Sequence, residues 1–235
     1  MDNNIDKTIL YIVATPIGNL EDMTYRAVRV LGEVNTILCE DTRVTKRLLE
    51  KYDITTPTLS YHAQSGVAKA EKILALLREG KDLALVSDAG TPTISDPGVL
   101  LIDQVRREFK DNVKIVPIPG PSALTAALSA SGIPSPQFVF LGFLPHKKGR
   151  ETLFSEIAAL ERTCVFYESP HRFMKTLDSL AAVLGESGRT VVVARELTKI
   201  HEELISGPIE TVKEHFEEKP ETVRGEFVIV IEGKG

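Results

Sequence analysis

Acidic and basic side chains gather at a few points of this chain, each directly after an apolar run. "CEDTR" sets Glu40 and Asp41 beside Arg43, two carboxylates able to accept protons and a cation able to hold an anion. Asp41 or Thr42 can equally cap the helix that follows, and one residue can cap while its neighbours face a cleft. "YESPHR" is similar: Ser169 suits an N-cap and Pro170 the first helical position, which leaves Glu168, His171 and Arg172 with chemistry to explain. "PHKKGR" holds the densest basic cluster, with His146, Lys147, Lys148 and Arg150. It is either a solvated loop or, beside a ligand, a holder of phosphates. In "ARELTKIHEE", Arg195 and Glu196 read as a solvated charged face just past a strand.

A second kind of site has few side chains at all. "SDAGTPTISDPG" (87–98) follows an apolar strand and contains two Asp, two Gly and two Pro with hardly one bulky group. It is longer than a strand-to-helix link requires. Either it is a bland connector or its backbone lies close to a ligand. "TPIGN" and "PGPSA" are smaller turns of the same character, each after a strand-like run. Ligands of open α/β sheets sit outside the carboxyl ends of the strands, where three such turns could form a backbone-lined cradle.

Several chemistries are disfavoured. "TPIGN" has one Gly where a dinucleotide fingerprint has three, and no Gly-Lys-Ser/Thr phosphate loop occurs. His62, His146, His171, His201 and His215 are scattered without metal-ligand spacing, so no metal is expected. Cys39 and Cys164 each lie in an apolar run and read as core residues rather than a disulfide. The N-terminal "MDNNIDK" is acidic where a signal peptide is basic, and the next apolar run is too short for a bilayer. A cytoplasmic protein without a membrane partner is expected. Net charge is −5, so any polyanion contact needs a local basic patch.

These sites require elements to position them. Through the first half, strand-like runs ("TILYIVAT", "NTILCE", "TLSYH", "DLALVSD", "VKIVPI") alternate with helical patterns ("MTYRAVRVLGEV", "DTRVTKRLLEKY", "GVAKAEKILALLREG", "VLLIDQVRREF"). That alternation predicts a five-stranded parallel α/β sheet. "PIPGPS" marks a boundary, giving expected domains 1–118 and 119–235. Beyond it, "FVFLGFLP" and "RTCVFYES" are strand-like, with helices near "GRETLFSEIAAL" and "HRFMKTLDSLAAVLG". "TVVVARE", "EELISG" and "EFVIVIEG" follow, separated by short segments or one helix, and predict antiparallel pairing within a mixed sheet.

As an ordered set, "ATPIGNLEDMTYRAVRVLGEV", "CEDTR", "SDAGTPTISDPG", "PGPSA", "GFLP" and "FYESPHR" resemble the tetrapyrrole methylase superfamily, in its branch acting on small-subunit ribosomal RNA. The resemblance runs from Thr8 to Gly233. It implies two α/β domains, with S-adenosylmethionine (SAM) folded in a cleft between them, and a homodimer. The implied product is a 2′-O-methylated cytidine in the decoding region of 16S rRNA, on the small ribosomal subunit. By the same resemblance Pro16, Ile17, Asp88, Gly90, Thr91, Ser122, Ala123 and Tyr167 would contact SAM. Glu40, Asp41, Glu168 and His171 are the candidates for a base that assists the weakly acidic 2′-hydroxyl. Arg43, Lys46, Arg47, Lys147, Lys148, Arg150 and Arg172 are the candidates for holding RNA phosphates. Two other readings compete: a methylase of a tetrapyrrole or other small molecule, and a non-catalytic nucleotide-binding regulator. "EDTR" and "YESPHR" favour the RNA branch by resemblance.

Overall fold

The computed structural model describes residues 7–62, 65–96 and 98–235. The acidic N-terminal segment and Pro97 of the long loop lie outside them. The chain separates into two compact units, one ending at Ser122 and the other starting at Ala123.

In the first unit, β1 (Thr8–Val13), β2 (Thr36–Cys39), β3 (Thr58–Ser60), β4 (Leu83–Leu85) and β5 (Val113–Ile118) alternate with α1 (Tyr25–Glu33), α2 (Thr42–Lys51), α3 (Val67–Arg78) and α4 (Val99–Phe109). The strands form one sheet in the order β3-β2-β4-β1-β5, and every pairing is parallel. Alternate residues of each strand point to opposite faces. Leu83 and Leu85 therefore pack with Ile73, Leu77, Leu101 and Val105 under α3 and α4. Ala84 and Val86 pack with Val30, Leu31, Leu48 and Leu49 under α1 and α2. Burial on both faces explains the nearly continuous apolar runs.

The same two-sided covering fixes where a ligand can bind. β1 and β4 are neighbours, yet β1 continues into α1 on one face and β4 into α4 on the other. Where adjacent strands send their connections to opposite faces, a crevice opens at their carboxyl ends. "TPIGN" and "SDAGTP" both fall at this switch point.

The second unit contains α5 (Ala123–Ser131), β6 (Phe138–Phe143), α6 (Arg150–Ala159), β7 (Thr163–Glu168), α7 (Pro170–Leu184), β8 (Val191–Arg195), β9 (Glu203–Gly207), α8 (Ile209–Glu218) and β10 (Phe227–Ile231). Its sheet order is β6-β7-β10-β8-β9. β6 and β7 are parallel, whereas β7, β10, β8 and β9 pair antiparallel, so the sheet is mixed. One face is sealed by an aromatic cluster: Phe173 of α7 stacks on Phe227 of β10 at 3.9 Å, and Phe216 of α8 meets Phe173 edge-on at 4.7 Å. Truncating a Phe in such a core costs about 3–5 kcal/mol.

Arg195 departs from the sequence expectation. It ends β8 and is only 4 % exposed, not part of a solvated face. Its guanidinium donates to the carbonyls of Arg224 (3.2 Å) and His201 (2.9 Å) and lies 3.4 Å from Glu203. A strand end between two others buries a long side chain when enough acceptors surround its charge.

Candidate active site

The rim of the first sheet is built from backbone. Past β1, Thr15 donates its N–H to the Gly90 carbonyl at 2.9 Å, and the Gly90 N–H returns to the Thr15 carbonyl at 3.0 Å. The buried Thr15 hydroxyl donates to the Ser87 carbonyl at 3.1 Å. Gly90 sits at φ +81, where a side chain is strained, and an added Cβ would lie 3.4 Å from Ile17 Cγ2. A third turn joins these two: Thr91 Oγ1 donates to the Pro121 carbonyl at 3.1 Å, and a Cβ on Gly120 would stand 3.0 Å from Ala14 Cβ. Pro16 and Ile17 are buried, and Ser122 is half-buried at the end of the third turn. Small residues are needed because three chain segments approach closely.

Carboxylates edge this rim. Asp88 is exposed, and its Oδ1 accepts the Asp41 N–H at 3.1 Å, tying the turn after β4 to the end of β2. Asp41 itself is the N-cap of α2: Oδ1 accepts the Arg43 N–H at 2.8 Å, and the Arg43 guanidinium bonds the carboxylate through Nε and Nη2. These bonds lower its pKa to about 2. The capping alternative is therefore the one realised, and a carboxylate held so acidic is a poor proton acceptor near neutrality.

Glu40 differs from its neighbour. It is half-buried, and burial first, then the charges of Asp88 and Asp96, raise its pKa. Asp96 is fixed by accepting the N–H groups of Thr93 (2.6 Å) and Gly98 (3.2 Å) through Oδ1. Thr93 (φ 75) and Ser95 (φ 67) both occupy the left-handed region without being Gly, so the loop is held in a strained shape.

The first basic set lies on α2. Arg43 is occupied by Asp41, Lys46 lies 3.6 Å from Glu50, and Arg47 is exposed. Arg43 and Lys46 line a depression of about 360 Å³ together with Thr42, Thr55 and Thr58.

Glu168, at the end of β7 in the second unit, has a side chain that is 0 % exposed. Oε1 accepts the Ser169 N–H (2.8 Å) and lies 2.7 Å from Arg172 Nη2; Oε2 accepts the Thr176 hydroxyl (2.6 Å) and lies 3.7 Å from Arg150 Nη2. Neither Arg150 nor Arg172 is a free phosphate ligand. Arg172 donates to the Leu144 carbonyl at 2.6 Å; Arg150 donates to the Pro145 carbonyl at 3.2 Å and to Thr176 at 2.7 Å. Ser169 is the N-cap position of α7 with Pro170 following, as their order suggests. His146, Lys147, Lys148 and His171 are exposed. Tyr167 is half-buried, with ring contacts to Phe140 at 5.0 Å and Phe143 at 5.4 Å. Burial raises its pKa. Ala123 begins α5.

The expected set thus divides. Pro16, Ile17, Asp88, Gly90, Thr91 and Ser122 share the rim of the first unit with Glu40 and Asp41, while Glu168, Arg172 and Arg150 form one cluster in the second. Sequence reasoning passed over Thr15, Asp96 and Thr176. Thr176 carried a signal, since it stands four residues after Arg172 on the same helical face.

A parallel sheet whose carboxyl rim is made of glycine turns and carboxylates, followed by a mixed-sheet unit, defines a class. The chain belongs to the tetrapyrrole (corrin/porphyrin) methylase family, whose family model matches residues 9–213. Among its relatives is the Ribosomal RNA small subunit methyltransferase I of Thermotoga maritima, 46% identical over 96% of this chain and 98% of that protein. Proteins of the same name from Vibrio cholerae (48% identical, 96% of this chain, 77% of the other) and Bacillus subtilis (47% identical, 97% and 76%) are also similar. Solved structures share the fold at lower identity. The methyltransferase CobJ aligns with a TM-score of 0.69 at 19% identity, over 97% of this chain and 94% of that one. A uroporphyrin-III-C-methyltransferase from Thermus thermophilus aligns at 0.62 and 20% identity, over 97% and 95%.

Proposed function

We propose that this protein transfers the methyl group of SAM to the 2′-hydroxyl of a cytidine in the decoding region of 16S rRNA, acting in the cytoplasm as a homodimer. The observation that carries the substrate is the identity of 46–48% to proteins named for small-subunit rRNA methylation, extending over nearly the whole chain. Likeness to tetrapyrrole methylases at 19–20% identity speaks to the fold alone.

The rim of the first unit fits SAM. Gly90 and Gly120 let the backbone come close, and Asp88 offers a carboxylate to an ammonium or ribose hydroxyl. Gly90, Thr91, Pro16, Ile17 and Ser122 would line it by main chain and small side chains. SAM, when bound, supplies an electrophilic methyl on a sulfonium. The protein's part is to align the accepting oxygen and take its proton.

Of the four candidate bases, Glu40 suits that part best. Asp41 is spent on capping α2 and is strongly acidic, Glu168 is enclosed by arginines, and His171 is exposed at the start of α7. Glu40 stays accessible enough to meet a hydroxyl, and its raised proton affinity favours proton transfer. Lys147 and Lys148, with Arg47, are exposed cations that have no ion pair among the described residues and suit contact with phosphates in a chain of net charge −5.

Radiolabelled SAM offered in parallel to assembled small subunits, naked 16S rRNA and a tetrapyrrole tests this reading. Label should enter RNA and, after nuclease digestion, co-migrate with 2′-O-methylcytidine. Label in the tetrapyrrole alone, or binding without turnover, would overturn it.

A further inference from the structure

We propose that Glu168 is a positioning residue for substrate RNA: through Arg150 and Arg172 it holds the loop that presents Lys147 and Lys148. The inference rests on the RNA reading above and deepens it.

Glu168 ends β7, a strand flanked on both sides in the sheet, and pairs with Phe227 of β10, so its carboxylate is a fixed point. Its charge, wholly shielded from water, lies beside two guanidinium groups. Each guanidinium spends a second donor on the chain after β6, Arg172 on the Leu144 carbonyl and Arg150 on the Pro145 carbonyl. These two carbonyls immediately precede His146, Lys147 and Lys148. The loop is closed from its other end as well, because Gly149 turns at φ +81 into α6 and the Arg150 N–H donates to the Lys147 carbonyl at 3.3 Å. The Arg150 guanidinium is further braced 4.9 Å above the Phe154 ring.

The arrangement therefore has a core of fixed charge, two arms and a bound main chain. Its lysines and histidine point to solvent. A loop held this way loses less entropy when it meets a phosphate backbone than a mobile one would. Arginine is the residue suited to the arms, since its rigid fork can bond a carboxylate and a carbonyl together.

The test compares the parent, Glu168→Gln, Lys147→Ala/Lys148→Ala and the combined variant of the full chain. Amide hydrogen exchange at residues 146–149, SAM calorimetry and small-subunit titration at several salt concentrations are measured on each. Removing the lysines should lower the salt slope of RNA binding by about two. Glu168→Gln should speed exchange in the loop and weaken small-subunit binding about tenfold while SAM affinity holds. In the lysine-free background the same change should have no further effect on RNA affinity. An equal loss in both backgrounds would make the residue merely structural and overturn the proposal, as would unchanged loop exchange. If Glu168→Gln does not fold, Arg150→Lys keeps the charge but loses the fork to Pro145 and Thr176, and is held to the same outcomes. A parent protein that binds no small subunit removes the RNA reading and this role with it. Loop exchange alone still reports whether Glu168 holds the segment.

Discussion

Thr15 and Gly90 exchange backbone hydrogen bonds in both directions, at 2.9 and 3.0 Å, and so join the turns that follow two adjacent parallel strands. The pairing is antiparallel, an isolated bridge beyond a sheet whose ladders are all parallel. It ties the long loop back to the chain that leaves the carboxyl end of β1.

Gly90→Ala is therefore expected to damage binding more than folding. A left-handed conformation costs an L-residue about 1–2 kcal/mol, and the new methyl would stand in contact with Ile17, within the turn. Calorimetry should show much weaker SAM binding in a variant whose melting temperature falls by only a few degrees. Unchanged affinity would mean that the ligand does not approach this turn.

Asp88→Ala should weaken SAM binding roughly tenfold to a hundredfold, the range for a hydrogen bond to a charged group. Asp88 also receives the Asp41 N–H, so Asp88→Asn, which keeps an acceptor there, is the control. The Asn variant should fold like the parent and still bind SAM poorly. Full affinity in the Asn variant would assign Asp88 to loop geometry alone.

Glu40→Gln should lower turnover by about a hundredfold to ten-thousandfold, the usual contribution of a positioned base, with SAM affinity little changed. The pH dependence gives a sharper reading. Burial, Asp88 and Asp96 raise the Glu40 pKa, so its carboxyl stays protonated to higher pH than an ordinary Glu. Activity should rise with pH through that raised value, and the acidic limb should vanish in Glu40→Gln. Asp41, held at about 2, is ionised throughout this window, so Asp41→Asn should leave the limb in place. A limb that follows Asp41 instead would reassign the base.

Much of the fold was legible because its determinants are local. Residues 99–109 and 113–118 read as a helix and a strand at the bounds the structure shows, since apolar spacing and flanking Gly and Pro mark them. "DLALVSD" was legible as a strand, but its ladder is only Leu83–Leu85. Ser87 and Asp88 have already turned away, toward Thr15 and Asp41, and no neighbouring residue announces partners more than forty positions distant.

The chain's composition and motif order settle what kinds of groups stand at each strand end: small residues in three turns, carboxylates after β2 and β4, and Glu168 at the end of β7 with His171 and Arg172 after it. They cannot settle which of those groups are already spent. "CEDTR" offers two carboxylates that look alike in sequence, yet one caps a helix and the other lies half-buried with raised proton affinity. Arg150 and Lys148 sit two positions apart in one basic run, but only the arginine is drawn inward, to a carboxylate eighteen residues on. Side-chain type follows from the sequence; the state of a charge depends on desolvation and on the partners within a few ångströms, and those are brought together only by the tertiary fold.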